Sequence, residues 1–452
     1  MTVIKIILGL FGLGVVVFVH ELGHFLMARL AGIDVEAFSI GWGRPILKKK
    51  IGAVEYRLGI FPLGGYCKMR GENEFQEAWE KRRDGAAPVK GTFFGAPPLG
   101  RILVALGGPL FNLIFAVLVL SVIWGAGFEM NTLGTRIVLA SEVNPELTFP
   151  ADEAGFKTGD TIIEINGEKT AWYHEVLEKI ATSPEKLLDV TVEREGAIVN
   201  LQIRPELDKT SGAGKIGVIF WNDPVIEKIE ASSPAYIAGL LAGDRITTIN
   251  GMEVRNSSDF LKTMKEKPLT LSVDYERGGT VGHTEIIPLY SDSGESKLGI
   301  VWASVRYRTP VLSLPAAIAK GARESWKTLA VSVQSLRLLF KGIDLTRAVS
   351  GPVRITYMLG DVATESFGQG IGAGLRSMTD FLALISIALC VMNLLPLPIL
   401  DGGMILLCLV ELIRRRPLNP RAITIFQTAG AVLIFGLMIF ALFGDILYLV
   451  RG

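Results

Sequence analysis

Histidine and cysteine are scarce in this chain of 452 residues, and charge of either sign is thin. The three cysteines, Cys67, Cys390 and Cys408, show no spacing that resembles a CxxC redox pair or a metal pair, so the chain is not a disulfide scaffold. Charged residues make up only 20%, and 46 Lys plus Arg nearly balance 45 Asp plus Glu, which leaves no global excess of positive charge to attract nucleic acid. With four histidines in all, a metal site built on imidazole has few residues to draw on. Apolar side chains are abundant instead. Hydrophobic types reach 49% and the mean hydropathy is +0.40, which argues against a disordered chain and against an ordinary soluble enzyme.

Those apolar residues are concentrated in four runs, each long enough against the roughly 20 residues needed to cross a bilayer. The first extends from Val3 to about Ala28, and its only ionisable groups after Lys5 are His20, Glu21 and His24. The second, Ile102 to about Ala126, holds no charge; the third runs from near Phe381 to Leu400 and ends at Asp401; the fourth spans Ile423 to about Phe443. The expected spans are therefore 1–30, 101–126, 376–402 and 423–450.

Basic residues then orient the chain. Arg44, Lys48, Lys49, Lys50, Arg57, Lys68, Arg70, Lys81, Arg82, Arg83 and Lys90 lie in the connection 31–100, and Arg414, Arg415, Arg416 and Arg421 in the connection 403–422. Both connections are expected on the cytoplasmic side. Both termini and the long insert after the second span then face the opposite side. The first run is long and lacks a small-residue exit site, so it reads as a span and not as a cleavable signal peptide.

The insert contains a repeat. Ala154-Gly155, Gly159-Asp160 and Ile165-Asn166-Gly167 recur 84 residues later as Ala238-Gly239, Gly243-Asp244 and Ile249-Asn250-Gly251, which is duplication of a domain-sized unit. Each copy reads as a turn, a short alternating strand and an Asn-Gly hairpin turn. A short amphipathic helix follows, Trp172 to Ile180 in one copy and Ser257 to Met264 in the other. The pattern resembles PDZ domains of the circularly permuted kind, over 127–215 and 216–307. That resemblance implies in each a groove between a strand and the helix, a candidate site for an extended peptide ligand. A role as spacer or gate is the alternative reading.

Chemistry enters in the first span at His20-Glu21-Leu22-Gly23-His24. The i, i+4 spacing puts two imidazoles on one helix face with a carboxylate beside them, the arrangement in which two histidines hold zinc and the glutamate acts as general base. Burying these groups in a lipid-spanning helix costs several kcal/mol, so their presence points to function. A third ligand is needed. Asp401 is the best candidate, because Pro396 and Pro398 break the preceding helix and Gly402 and Gly403 permit a close turn. Irregular backbone at membrane depth is tolerated where it lines a polar cavity or is buried in protein. Glu411 and Asp445 also border apolar runs but lack this setting.

Together, the HELGH, GGPLFN and NLLPLPILDGG segments resemble the site-2 protease family of intramembrane zinc metalloproteases, in particular the sigma-E-regulating type with two tandem PDZ-like units. The resemblance covers nearly the whole chain. It implies a polytopic α-helical membrane protein with four transmembrane helices, a membrane-associated β-hairpin or sheet and two PDZ-like α+β domains in a periplasmic insert of the bacterial inner membrane. It further implies one Zn2+ ion held by His20, His24 and Asp401, Glu21 as base, and Asn393 handling substrate. The implied substrates are transmembrane segments of single-span proteins, such as an anti-sigma factor of the envelope stress response and signal-peptide remnants. Two rival readings remain: a membrane metallopeptidase of another type, and an inactive PDZ-based scaffold.

Other segments fit that frame. Alternating and β-branched residues between Asp34 and Met69 read as a β-hairpin. In the family such a sheet re-enters the membrane and pairs with unwound substrate, with Pro62, Gly64 and Gly65 turning it near the zinc; a peripheral hairpin is the alternative. Gly107, Gly108, Pro109 and Asn112 suggest a close helix approach and a polar contact facing the site. Within 308–375, Trp326, Leu329, Ala330, Val333, Leu336 and Phe340 recur at helical spacing, with Lys320, Arg323, Lys327 and Lys341 interspersed. This reads either as an amphipathic helix on the outer face of the membrane or as a packed helix beneath the PDZ-like pair. Ser350 to Ile355 resembles the family's GPV segment. His174 and His283 lack ligand spacing.

Overall fold

The structure, a computed structural model, describes residues 2–71, 89–209, 212–290, 296–338, 351–368, 371–416 and 418–451. Lys81, Arg82, Arg83, Phe340, Lys341 and Ser350 lie outside the described residues. The chain divides into two units, one formed by 1–129 with 308–452 and the other by 130–307.

In the first unit, α1 (Thr2–Leu30) is followed by an antiparallel hairpin of β1 (Val35–Ile51) and β2 (Val54–Met69), and then by α2 (Pro98–Ala126). Five further helices complete it after the insert: α3 (Leu314–Leu338), α4 (Pro352–Gly368), α5 (Ile371–Asn393), α6 (Asp401–Arg414) and α7 (Pro420–Arg451). Among the described residues, four helices are long and apolar enough to cross a membrane, within α1, α2, α5 and α7. α2 is the hub, packing against α1, α3, α5 and α6. Small residues make the central crossing possible. A Cβ added at Gly107 would lie 2.6 Å from the Gly23 carbonyl oxygen, so any side chain there would force α1 and α2 apart. The hairpin lies against α1 through Phe18, Phe25, Phe38 and Tyr56, whose rings meet at 5.5–6.2 Å.

Three sequence expectations need correction here. The third span is not continuous to residue 402: α5 begins earlier, at Ile371, and stops at Asn393. Residues 394–400 are irregular because Pro396 and Pro398 carry no amide hydrogen for a helix ladder. Asp401 does not end a span but starts α6, so most of the connection assigned to 403–422 is helix. Its apolar face packs on α2, and Arg101 of α2 pairs with Glu411 of α6, both side chains buried. Glu411 also accepts from the Leu418 amide at 3.0 Å, so a carboxylate that the sequence left without a role clasps α6 at its far end.

Asp445 has an equally specific task. Buried near the end of α7, it accepts from the amides of Gly351, Val353 and Arg354 at 2.9, 3.1 and 3.1 Å and so caps the N-terminus of α4. A side chain at Gly351 would collide with that carboxylate, which explains the glycine of the GPV segment. α3 packs against α2 and α5. Its Gly321 sits over Ser121 of α2.

In the second unit the duplication is visible in the sheet order. Each copy has four antiparallel strands in the same sequence: Glu168–Lys169, Thr161–Ile165, Leu188–Arg194 and Ala197–Ile203, then Met252–Glu253, Arg245–Ile249, Leu271–Arg277 and Thr280–Ile286. Asn166-Gly167 and Asn250-Gly251 both have positive φ, as the tight hairpin turn requires. The helices are Tyr173–Ala181 and Ser258–Lys265.

The boundary between the copies moves. Val218–Phe220 pairs with Ile137–Leu139, and Ile216 is buried in the first core, so residues 216–221 complete the first copy and do not open the second. The matching strand of the second copy, Ile300–Trp302, pairs with Ile226–Ile229. Gly217 and Gly299 take φ values of 77° and 75° just before these strands. Phe220 meets Tyr173, and Trp302 meets Phe260, so strand and helix face one another in both copies. The copies are linked by Lys262, which reaches Glu142 at 2.9 Å and Asp259 at 3.0 Å. Burial raises the Glu142 carboxyl, but the Thr158 hydroxyl and the Lys262 ammonium outweigh that and hold it below the ordinary value.

The aspartate of each Gly-Asp pair is more than a turn residue. Asp160 and Asp244 are buried, and each is bound at both oxygens by an arginine of a later strand, Arg194 at 2.7 and 2.8 Å and Arg277 at 2.6 and 2.7 Å. Replacing Arg277 by Met leaves the buried Asp244 carboxylate with the Leu241 amide but without its cation, so the second copy should melt earlier and residues 245–286 should exchange amide hydrogens faster. Unchanged exchange in that segment would contradict this account of the repeat.

Candidate metal centre

The helix α1 carries His20, Glu21 and His24 past the irregular segment that ends at Asp401. His20 and His24 are one turn apart on the same face, and their Nε2 atoms lie 3.1 Å from each other. Asp401 closes the triangle, with Oδ2 at 3.3 Å from His20 Nε2 and Oδ1 at 3.4 Å from His24 Nε2. The three donors lie within 4.8 Å of one another, the one such His/Cys/Asp/Glu group found among the described residues.

The donor set fits zinc. Bonds of about 2.0–2.1 Å from one ion to tetrahedral nitrogen and oxygen donors place those donors roughly 3.3–3.4 Å apart; here the two imidazole nitrogens lie 3.1 Å apart and each faces a different oxygen of Asp401 at 3.3 or 3.4 Å. Imidazole and carboxylate are the ligand types that suit that ion, and three protein donors leave a fourth position open. Each donor is largely shielded from solvent, His24 being 9% exposed.

The surrounding backbone supports this arrangement. The Nδ1–H of His24 donates to the Val104 carbonyl at 2.9 Å, which fixes the proton on Nδ1 and leaves the Nε2 lone pair toward the other donors. Gly108, one turn further along α2, provides space for both rings: a Cβ there would lie 2.7 Å from His20 Nε2 and closer still to His24 Nε2. Pro109 follows inside the helix. The sequence marked Gly107 and Gly108 as a close approach, but the Val104 carbonyl bears no sequence signal, since any residue type supplies one.

The remaining candidate residues fall around the same point. Glu21 adjoins the two histidines, and its carboxylate accepts a hydrogen bond from the Cys67 backbone amide in β2. Gly65 lets that strand come close: a Cβ on it would lie 2.9 Å from Glu21 Cγ and 2.8 Å from the Ser39 carbonyl oxygen. Gly64, at φ 114°, carries the indole of Trp42 where a side chain would be. Asn393, the last residue of α5, puts its Nδ2 at 3.4 Å from His20 Nε2.

Two cavities open on the site. One of about 470 Å³ is lined by Trp42, Gly64, Gly65, Tyr66, Leu389 and Asn393. The other, about 370 Å³, is lined by Met69, Phe93, Phe94, Met404, Leu407 and Phe426. Glu21 and Asp401 border both.

Known proteins share this arrangement of segments. The sequence pattern of peptidase family M50 matches residues 8–437. A relative from Treponema pallidum, named as a candidate zinc metalloprotease, is 33% identical over 449 residues, covering 99% of each chain. The regulator of sigma E protease of Haemophilus influenzae is 31% identical, with 97% of both chains covered. The regulator of sigma-E protease RseP of Escherichia coli is 28% identical over 96% of both. Among solved structures, the PDZ domain of an SdrC-like protein from Listeria monocytogenes matches 19% of this chain and 90% of its own, at 23% identity and a TM-score of 0.17.

Proposed function

The chain belongs to peptidase family M50 and is a multi-pass membrane metalloprotease with PDZ-like domains, and on that premise we propose how its residues divide the work. His20, His24 and Asp401 hold one zinc ion, and Glu21 is the general base. The observation that carries this reading is the convergence of three donors, His24 buried and His20 and Asp401 half-buried, drawn from two ends of the sequence, within 4.8 Å.

A zinc ion held there supplies Lewis-acid polarisation and makes water acidic enough to attack at neutral pH. Glu21 takes the proton of the attacking water on its carboxylate and returns it to the leaving amine. The Cys67 amide keeps that carboxylate turned toward the site. Because a helical peptide bond is shielded by its own hydrogen bonds, the substrate enters extended, along the β2 edge that Gly64 and Gly65 bring against Glu21. Asn393 steadies the substrate backbone beside His20.

The substrates are transmembrane segments of single-span proteins, an anti-sigma factor or signal-peptide remnants among them. The bacterial relatives support a place in an inner membrane, and the Lys/Arg bias supports the termini and residues 130–307 on its periplasmic side. The PDZ-like copies offer their strand-and-helix grooves to peptides.

The decisive experiment incubates purified full-length protein with a membrane-embedded single-span peptide. Cleavage should stop on addition of a zinc chelator and return with added zinc, at one zinc per chain. The Asp401→Ala variant should lose both zinc and cleavage. Cleavage that survives chelation, or full zinc content in Asp401→Ala, would sink the assignment.

A further inference from the structure

The two histidines have equivalent places in the trio, yet their second ring nitrogens meet different partners. His24 Nδ1 faces a carbonyl, which only accepts. His20 Nδ1 faces the side-chain NH2 of Asn112 at 3.2 Å, while Asn112 Oδ1, on a fully buried residue, has no hydrogen-bond partner. In that orientation the amide donates and His20 Nδ1 accepts, so a neutral ring carries its proton on Nε2. That is the atom that points at His24 and Asp401. A protonated Nε2 has no lone pair to offer a metal.

A half-turn of the Asn112 amide about its Cβ–Cγ bond exchanges oxygen and nitrogen with almost no change of shape. Oδ1 then accepts from His20 Nδ1–H, the Nε2 lone pair is freed, and the unpartnered oxygen is satisfied. We propose that Asn112 is the positioning residue of His20: it fixes the ring's tautomer and direction toward zinc, as the Val104 carbonyl does for His24. The residue is well held for that task. Its backbone carbonyl accepts from Ser386 of α5 at 2.9 Å, and it stands one turn beyond Gly108 on the same side of α2. A buried asparagine in a lipid-spanning helix is costly unless such a contact is made.

This inference rests on the zinc reading, and the test separates the two. Full-length wild type, Asn112→Leu and Asn112→Asp are purified in detergent, their thermal unfolding is compared, and zinc affinity is measured by competition with a chromogenic chelator. Loss of a ligand's hydrogen-bond partner typically costs 10–100-fold in metal affinity, so Asn112→Leu should bind zinc about 10–100-fold more weakly. Asn112→Asp, which can accept from Nδ1–H but cannot donate, should stay at wild-type affinity or bind more tightly. Wild-type affinity in the leucine variant overturns the proposal, and so does an aspartate variant weakened as much as the leucine one. If Asn112→Leu does not fold, the aspartate variant decides alone, a tenfold loss counting against. A wild type that takes up no zinc overturns the metal reading and this proposal together, whereas wild-type zinc binding with an unaffected leucine variant overturns this proposal alone.

Discussion

Glu21→Gln should cut peptide-bond cleavage by about 10²–10⁴-fold, the range that a positioned general base contributes. Glutamine matches the shape of glutamate and keeps one oxygen for the Cys67 amide, but it cannot accept a proton from water at neutral pH. The donors His20, His24 and Asp401 are untouched, so zinc content and substrate binding should remain at the wild-type level. The relevant measurement is single-turnover cleavage of a membrane-embedded peptide alongside zinc analysis of the same preparation. Cleavage within tenfold of wild type would show that another group moves the proton. Loss of zinc would show that Glu21 acts on the site's structure and not on the chemistry.

The second large effect comes from a residue with no side chain. Gly108→Ala adds one methyl group to α2, at 2.7 Å from His20 Nε2 and nearer to His24 Nε2. α2 also packs on α1 through Gly107 and Gly23, so the helix has little freedom to retreat. The two rings must therefore move, and a misplacement of the order of 1 Å in such a site costs roughly 10²-fold in rate. Zinc affinity should fall in parallel. Gly436→Ala is the matched control, since a Cβ there meets nothing within 4 Å. It lies in another lipid-length helix and should leave zinc and cleavage unaltered. Equal behaviour of the two variants would mean that the space above the histidines is not needed.

These two predictions differ in how visible their residues are in the sequence. Glu21 is found by reading five letters, because the i, i+4 spacing of helical histidines is a local property. Gly108 is found only partly: its pairing with Gly107 signals a close helix contact, but not with which side chains. Asn112 shows the same limit. Its polarity in an apolar helix marks it as unusual, while its partner is 92 residues away in the chain.

The other buried ionisable groups make the point from the opposite side. Asp160, Asp244, Glu411 and Asp445 all place a carboxyl group in buried surroundings, and each has its partner on another element. By sequence alone they resemble turn residues or helix ends. Their partners, Arg194, Arg277, Arg101 and the amides at the start of α4, come together only when strands and helices pack. The copy boundary in the insert moved for a similar reason: Ile216 looks like the start of a new unit until its side chain is seen in the first core.

By itself, then, the sequence determined what is set by local period and by the cost of polar groups in lipid. That includes the apolar runs, the duplicated insert, the paired histidines with their glutamate, and Asp401 as the candidate for a third donor. Only the tertiary structure decided where the third span breaks, that Asp401 opens a helix clasped by Arg101 and Glu411, and which groups face the second nitrogens of His20 and His24. The physical reason is that a helix or strand pattern records which residues share one face, whereas hydrogen-bond partners and steric limits depend on which faces meet. That meeting is governed by glycine contacts and buried polar pairs between segments up to about 310 residues apart.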